Sequence, residues 1–253
     1  QQLTKELEPG LNALFGLEYS RYDNQHAEIY TTESSDRAFE EEVMLSGFAG
    51  APTKQEGASV VFDQANEAYT ARYTHETIAL AFSITEEAIE DNLYDRLAQR
   101  YTRALARSMS NTKQVKAAQV LNQAQFTAVT GGDGVPLIAN NHPLSNGGQF
   151  SNVLAVAADL NETSLEQALI DIQGFVDERG LKIALNGRKM IIPKELQFTA
   201  ERLMKSTMRT GTADNDINAI NNMGMVPEGY RVNNFLTDTD SFFLLTDVPN
   251  GLK

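Results

Sequence analysis

The sequence predicts an α+β chain, in which an extended β arm and one very long helix precede a layer of helices around a small sheet. Three observations carry this expectation. Residues 68–82 are a stretch rich in Tyr, Thr and Ile, residues 83–125 contain neither Pro nor Gly behind a helix-start signature, and residues 163–206 pass through helix, strand and helix patterns.

With 253 residues, 42% of them hydrophobic, the chain can bury a sizeable core in one domain or in two that share a boundary. No apolar run approaches the roughly 20 residues of a bilayer span. Gln1-Gln2-Leu3-Thr4-Lys5-Glu6 lacks the basic-then-apolar layout of a signal peptide, so neither a membrane partner nor export is expected. The absence of Cys excludes disulfides, thiolate metal sites and a cysteine nucleophile, and fits a reducing cytoplasm. A formal charge of -13 disfavours a sequence-reading nucleic-acid binder, whose affinity rests on cations that displace phosphate counterions. A wall that confines DNA without gripping it is still allowed. The chain opens without Met and stops at Gly251-Leu252-Lys253 directly after an apolar run, so further residues, cleaved or disordered, are expected at both ends.

The first 34 residues set Leu11, Leu14, Phe15 and Leu17 in a polar background, which reads as an arm with an anchor. From about Arg37 to Phe82 the signal is β, first at Val60-Val61-Phe62 and then from Ala68 onward. Gly47, Gly50, Pro52 and Gly57 between these arms predict a wide, mobile tip with hinge capacity. Tyr69, Ala71 and Tyr73 alternate with Thr70, Arg72, Thr74 and Glu76, and neither face suits a deep core. A lone hairpin is marginal in water and the chain offers no obvious surface for it. Tyr69, Arg72 and Tyr73 are therefore expected to meet a neighbouring subunit.

Ser83-Ile84-Thr85-Glu86 has the form of a capping box, predicting a helix of roughly 40 residues and roughly 60 Å that ends near Gln125. Ile89, Leu93, Leu97, Tyr101, Leu105 and Met109 recur every fourth residue, a stripe that drifts round the helix because the true period is 3.6. Beside it run Arg96, Arg100, Arg103 and Arg107. No a/d heptad pattern persists, so a strut fits better than a coiled coil.

Gly131-Gly132-Asp133-Gly134-Val135-Pro136 and Asn140-Asn141-His142-Pro143 break the chain, making Gly131 and Gly134 further hinge candidates at a domain boundary. Thr163-Ser164-Leu165-Glu166 reads as a second capping box, opening a helix with Leu165, Leu169, Ile172, Phe175 and Val176 on one face and Gly180 at its C′ position. Lys189-Met190-Ile191-Ile192 is a short buried strand, and Pro193 suits the first turn of a helix carrying Leu196, Ala200, Leu203 and Met204. Thr207 to Asn222 is a polar, mobile loop, and strand character returns at Tyr230-Arg231-Val232 and Ser241-Phe242-Phe243-Leu244-Leu245.

This order of elements resembles the Hong Kong 97 fold of tailed-bacteriophage major capsid proteins. Phe82-Ser83-Ile84-Thr85-Glu86-Glu87 with Asp91, and the run from Lys189 to Glu201, carry the verbal likeness. The run from Lys189, together with Asp214-Asn215-Asp216-Ile217-Asn218 and Phe235 to Leu244, is similar to the major head subunits of Mu-like phages. The resemblance implies an N-arm at 1–34, an E-loop β-hairpin at 35–80, a P-domain with the long spine helix at 81–136, an A-domain at 137–230, and strands at 231–253 returning toward the P-domain. It also implies that the last strand lies beyond Lys253, and that hairpin and N-arm lie over adjacent subunits. Copies of the chain would group as hexamers and pentamers, with Asp214, Asp216 and Asn218 in the loop at the capsomer centre. Portal and decoration proteins are the further partners implied, with non-specific proximity to packaged double-stranded DNA. The place implied is the virion, after assembly in the host cytoplasm.

The residues offer little chemistry to set against this. His26, His75 and His142 stand outside any nucleophile-elbow setting. Asp214, Asp216 and Asn218 begin like a calcium loop, but Ala219 and Met225 replace its required Gly and Glu. Gly131-Gly132-Asp133-Gly134 lacks the Lys-Ser/Thr ending of a phosphate cradle. The Arg row can touch DNA or pair with acidic neighbours, and the acidity of the chain favours salt bridges between subunits. Lys54 is the only Lys between Lys5 and Lys113, but no Asn partner for a covalent cross-link can be identified. The expectation is a shell protein without catalytic residues, cofactor or metal. Its rivals are an encapsulin-like compartment and, in another class, a soluble hydrolase or sugar-binding domain.

Overall fold

The computed structural model describes residues 2–84, 94–209, 216–249 and 251–252. The chain is mixed α+β and divides into two compact units, Gln1–Glu28 with Glu76–Gln119, and Ile29–His75 with Val120–Lys253.

In the first unit the expected arm is largely helical. Helix α1 spans Gln2–Ser20 and is followed by a 3-10 turn at Gln25–Glu28. Phe15 and Tyr19, one turn apart, stack with ring centroids separated by 5.8 Å. The long helix α2 spans Tyr94–Asn122, its last three residues belonging to the second unit. Thr85, Glu86, Ile89, Asp91 and Leu93 of the expected start lie outside the described residues.

The buried side of α2 corrects the expected stripe. Ala98, Thr102, Ala106, Ser110, Gln114 and Ala118 are buried, whereas Leu97, Leu105 and Met109 are half-buried and Tyr101 is exposed. Apart from Gln114 the buried side chains are small, which leaves room close to the helix axis, and the larger residues flank the seam. Asp23 to His26 crosses at Gln114, whose Oε1 accepts from His26 N at 3.1 Å and whose Nε2 donates to Asp23 O at 3.2 Å.

The second unit is built on strand β5, Gly187–Ile192, and carries two hairpins. The first pairs β1 (Phe39–Leu45) with β2 (Glu67–Thr74), antiparallel from Phe39↔Thr74 to Met44↔Tyr69. Val60-Val61-Phe62 and residues 75–82, expected as strand, have no strand partner and are irregular. The second is a minimal pair, β3 (His142–Pro143) with β4 (Gln149–Phe150).

Strand β5 lies between β6 (Tyr230–Val232), parallel to it, and β7 (Phe243–Thr246), antiparallel. Met190 and Ile192 point to a core with Leu165, Leu169, Ala200, Leu203, Ile220 and Val226, while Ile191 points the other way, to Ile29 and Leu121. Burial on both faces is why this strand reads as an unbroken apolar run.

Helix α3 (Glu162–Gln173) starts two residues before the expected N-cap at Thr163 would allow. Asn161 is the cap, and Ser164 closes a reciprocal box: its N–H donates to Asn161 Oδ1 at 2.9 Å, and its hydroxyl accepts from Asn161 N at 3.0 Å. The helix stops at Gly174, which leaves Phe175 and Val176 outside it and puts Gly180 in a later turn. After Pro193, a 3-10 turn (Lys194–Leu196) leads into α4 (Gln197–Lys205). The segment expected to be one mobile loop contains α5 (Ala219–Met223) and a bridge between Met208 and Ile217, with residues 210–215 outside the described set.

Candidate functional site

The hairpin and its loop present a run of exposed apolar side chains. Phe62 is 93% exposed, Val61 69% and Phe48 60%, and Leu45, Val43 and Met44 are exposed on β1. No core lies under either face, in keeping with the alternation of Tyr and Thr along β2. Arg72 is satisfied within its own hairpin, 2.6 Å from Glu41 and with its guanidinium 4.5 Å above the Phe39 ring. Tyr73 is exposed, and the Tyr69 hydroxyl donates to Pro143 O at 2.9 Å.

That last contact corrects the expectation that the chain has no surface for the hairpin. A Cβ added to Gly132 would lie 3.0 Å from Thr70 O and 3.2 Å from Ala71 N, so glycine here lets the β2 backbone come close. Farther out, Gly47 N donates to Glu178 Oε1 at 2.6 Å and Gly50 faces Leu181, while Gly57, at φ +80°, stands in open space. The hairpin is thus held to its own chain at a few points, mostly polar, with its apolar side chains left to solvent.

The Gly131 to Gly134 segment is a closed turn rather than an open elbow. Gly131 N donates to Val135 O at 2.8 Å, Val135 N to Asp133 Oδ1 at 3.3 Å, and Asp133 Oδ2 lies 2.6 Å from His142 Nδ1. A hydrogen-bonding role for His142 is compatible with the sequence, but nothing local marks Asp133, nine positions away, as its partner.

Arg96, Arg100, Arg103 and Arg107 are all exposed and share one side of α2. Arg103 Nε is 3.6 Å from buried Glu18, which also pairs with Arg21 at 3.2 Å. The other three make no ion pair among the described residues. Asp214 lies outside the described residues, Asp216 accepts from Arg209 N at 2.9 Å, and Asn218 is buried. The Asn218 side chain caps α5 through Ile220 N and Asn221 N and donates to Leu203 O at 2.7 Å, which suits an internal anchor and not an exposed loop tip.

The histidines are equally tied to structure. His26 sits against Gln114, and burial, then Lys113, pull its imidazole below the ordinary value, which keeps it neutral at pH 7. His75 reaches Ser35 Oγ at 3.2 Å, but the carboxylate in the chain, Glu40, contacts the serine at 2.6 Å instead of orienting the imidazole. All of this set lies at the surface. Among the described residues no group of His, Asp and Glu is placed to hold a metal ion, and no helix is long and apolar enough to cross a membrane.

Comparison with known proteins bears on what the exposed hairpin is for. A family model described as phage capsid protein matches residues 68–251. A chain of the bacteriophage JBD30 procapsid is similar with a TM-score of 0.61 at 15% identity, covering 93% of this chain and 99% of that one. A chain of the JBD30 capsid has a TM-score of 0.63 at 12% identity, covering 85% and 92%. The JBD30 capsid decorated with minor capsid protein trimers gives 0.61 at 13% identity, with the same coverage. At these identities the likeness shows the fold. No curated protein matches.

Proposed function

This chain belongs to the phage capsid protein family, and on that premise we propose that it assembles as a subunit of the Hong Kong 97 type, similar in motif to the major head subunits of Mu-like phages. It is a major capsid protein of a phage head shell, a structural component of the virion and not an enzyme. The proposed shell encloses double-stranded DNA and is made of hexamers and pentamers of this chain, with portal and decoration proteins as further partners.

The observation that carries the reading is the exposed apolar load of the hairpin and its loop. Phe48, Val60, Val61 and Phe62 are 60–93% exposed in their own chain. Fully burying one such side chain is worth about 1.5–3 kcal/mol. A neighbouring copy that covers them gains this at every contact, and closed symmetry repeats the gain around the shell. Tyr73, and separately the three arginines of α2 that make no ion pair among the described residues, are the proposed polar contacts with neighbouring copies. Adjustment between five-fold and six-fold positions is assigned to the loop around Gly57, and to a lesser degree to the turn at Gly131 and Gly134, which internal hydrogen bonds restrain.

Negative-stain microscopy of the purified protein tests the reading. Closed polyhedral particles are expected. A monodisperse monomer by light scattering at all concentrations overturns it.

A further inference from the structure

The mouth of the loop between β1 and β2 is gripped by one turn of the same chain. That turn, Asp177 to Leu181, is itself rigid: Asp177 Oδ1 accepts from Arg179 N at 2.9 Å and Leu181 N at 2.8 Å, and Gly180 N donates to Asp177 O at 2.9 Å. Two consecutive charged side chains project from it to opposite strands of the loop. Glu178 Oε1 accepts from Gly47 N at 2.6 Å. Arg179 Nη2 lies 2.8 and 2.9 Å from the two oxygens of Asp63.

The two grips are joined across the loop. Asp63 Oδ2 also accepts from Ala49 N at 2.8 Å, so one carboxylate ties both sides of the mouth to Arg179. Ser46 and Asn66 close the mouth just below, with N–H donations at 2.7 and 2.9 Å. Leu181 Cδ2 stands 3.5 Å from where a Cβ of Gly50 would be. The Arg179 side chain is only 19% exposed, so its charge is partly removed from water and its pairing is less screened than that of a surface pair. Among the described residues the loop makes no comparable contact beyond this collar, and Val60, Val61 and Phe62 stand exposed.

We propose that Glu178 and Arg179 form an intrachain clamp that fixes the direction in which the 46–66 loop is presented to a neighbouring subunit. The proposal rests on the reading of this chain as a shell subunit. A loop of about 20 residues loses conformational freedom on docking, and a clamp closed beforehand removes part of that cost from the association step. Backbone donors at Gly47 and Ala49 receive the two acidic side chains, so the clamp sets the path of the chain without depending on the residues at the tip.

Charge exchange in the full-length protein tests it. D63R and R179D alone should each lower particle yield by on the order of tenfold, the factor that one lost charge-assisted hydrogen bond corresponds to. D63R/R179D in a single chain should restore part of it, because the ion pair is remade although an Arg at 63 cannot accept from Ala49 N. A mixture of D63R chains with R179D chains should stay defective, because no chain then carries both halves of an intrachain pair. In unassembled wild-type protein the Gly47 and Ala49 amides should exchange slowly, and R179D should accelerate Ala49 by a similar factor.

Rescue by mixing overturns the proposal in favour of a contact between copies. Wild-type particle yield from both single variants, or fast exchange at Gly47 and Ala49 in the wild type, also overturns it. A single variant that has lost its fold is recognised by circular dichroism, and the exchange measurement on the wild type then decides. Wild-type protein that forms no particles at all sinks the shell reading itself, a result separable from these.

Discussion

Asp133 and His142 meet through a 2.6 Å contact between Oδ2 and Nδ1, and this one contact joins the turn that follows the long helix to the short strand that supports the hairpin. The adjacent residues on each side hold β2: Gly132 lies under Thr70, and Pro143 accepts from Tyr69. His142 Nε2 is buried with no hydrogen-bond partner among the described residues. Asp133→Ala leaves both imidazole nitrogens unmatched and frees the turn. A loss of about 1–3 kcal/mol is expected in chemical denaturation of the unassembled subunit. Asp133→Asn, which retains an acceptor, should lose less.

Gly187 begins the central strand where a Cβ would stand 2.6 Å from Leu169 Cδ2. Gly187→Ala should therefore cost about 1–3 kcal/mol by overpacking, read from the denaturation midpoint. Adding Leu169→Ala opens the space again. The double variant should be more stable than the sum of the two single losses predicts.

The small-residue seam of α2 gives a second packing test. Ala106 is fully buried, so Ala106→Leu should destabilise the subunit by about 1–3 kcal/mol. Val115, on the same helix, is exposed, and Val115→Ala should change stability by no more than about 0.5 kcal/mol. Equal effects at the two positions would contradict the seam.

Burial pushes the Tyr30 phenol from 10.0 up to about 12. The folded state therefore favours the protonated form. Its contribution is fully present below pH 10 and is lost as pH rises toward 12. Tyrosinate absorbance should show a late-titrating phase that includes Tyr30, with Tyr230 also held up by its hydrogen bond to Glu201, and Tyr30→Phe should reduce that phase and the alkaline limb of the stability curve.

At the acid end, Glu228 is held below its ordinary value by Arg188 and then by Lys189, the latter at 2.9 Å. Its contribution is present above the unfolded-state value of 4.5 and disappears as pH falls through the lower folded-state value. Glu228→Gln should flatten the acid limb of the stability curve. The difference should shrink in high salt, since the pair is partly exposed.

The long helix, the doubly buried strand β5 and the second strand of the hairpin were legible because each writes a local period into the chain, whereas the first strand, expected at Val60-Val61-Phe62, lies at Phe39–Leu45. Met190-Ile191-Ile192 reads as a strand wherever it is placed, and residues 94–122 contain no helix breaker. Element ends were less legible. Asn161 outcompeted Thr163 as the cap of α3 because Ser164 took the reciprocal role expected of Glu166, and both choices satisfy the same local rule. Gly180 was misread as a helix stop when it belongs to the turn that holds Glu178 and Arg179.

The sequence by itself determined the class of elements, their order and the excess of extended apolar surface, since these follow from composition and from periods of 2 and 3.6 residues. Only the tertiary structure decided which face of α2 is buried, that Asp133 meets His142, and that Asp63 meets Arg179 across 116 positions. Packing favours whichever residues let two segments come closest, so alanines displaced leucines from the centre of the seam. Pairings between distant charges leave no local period to read, because they depend on where the folded backbone brings each side chain.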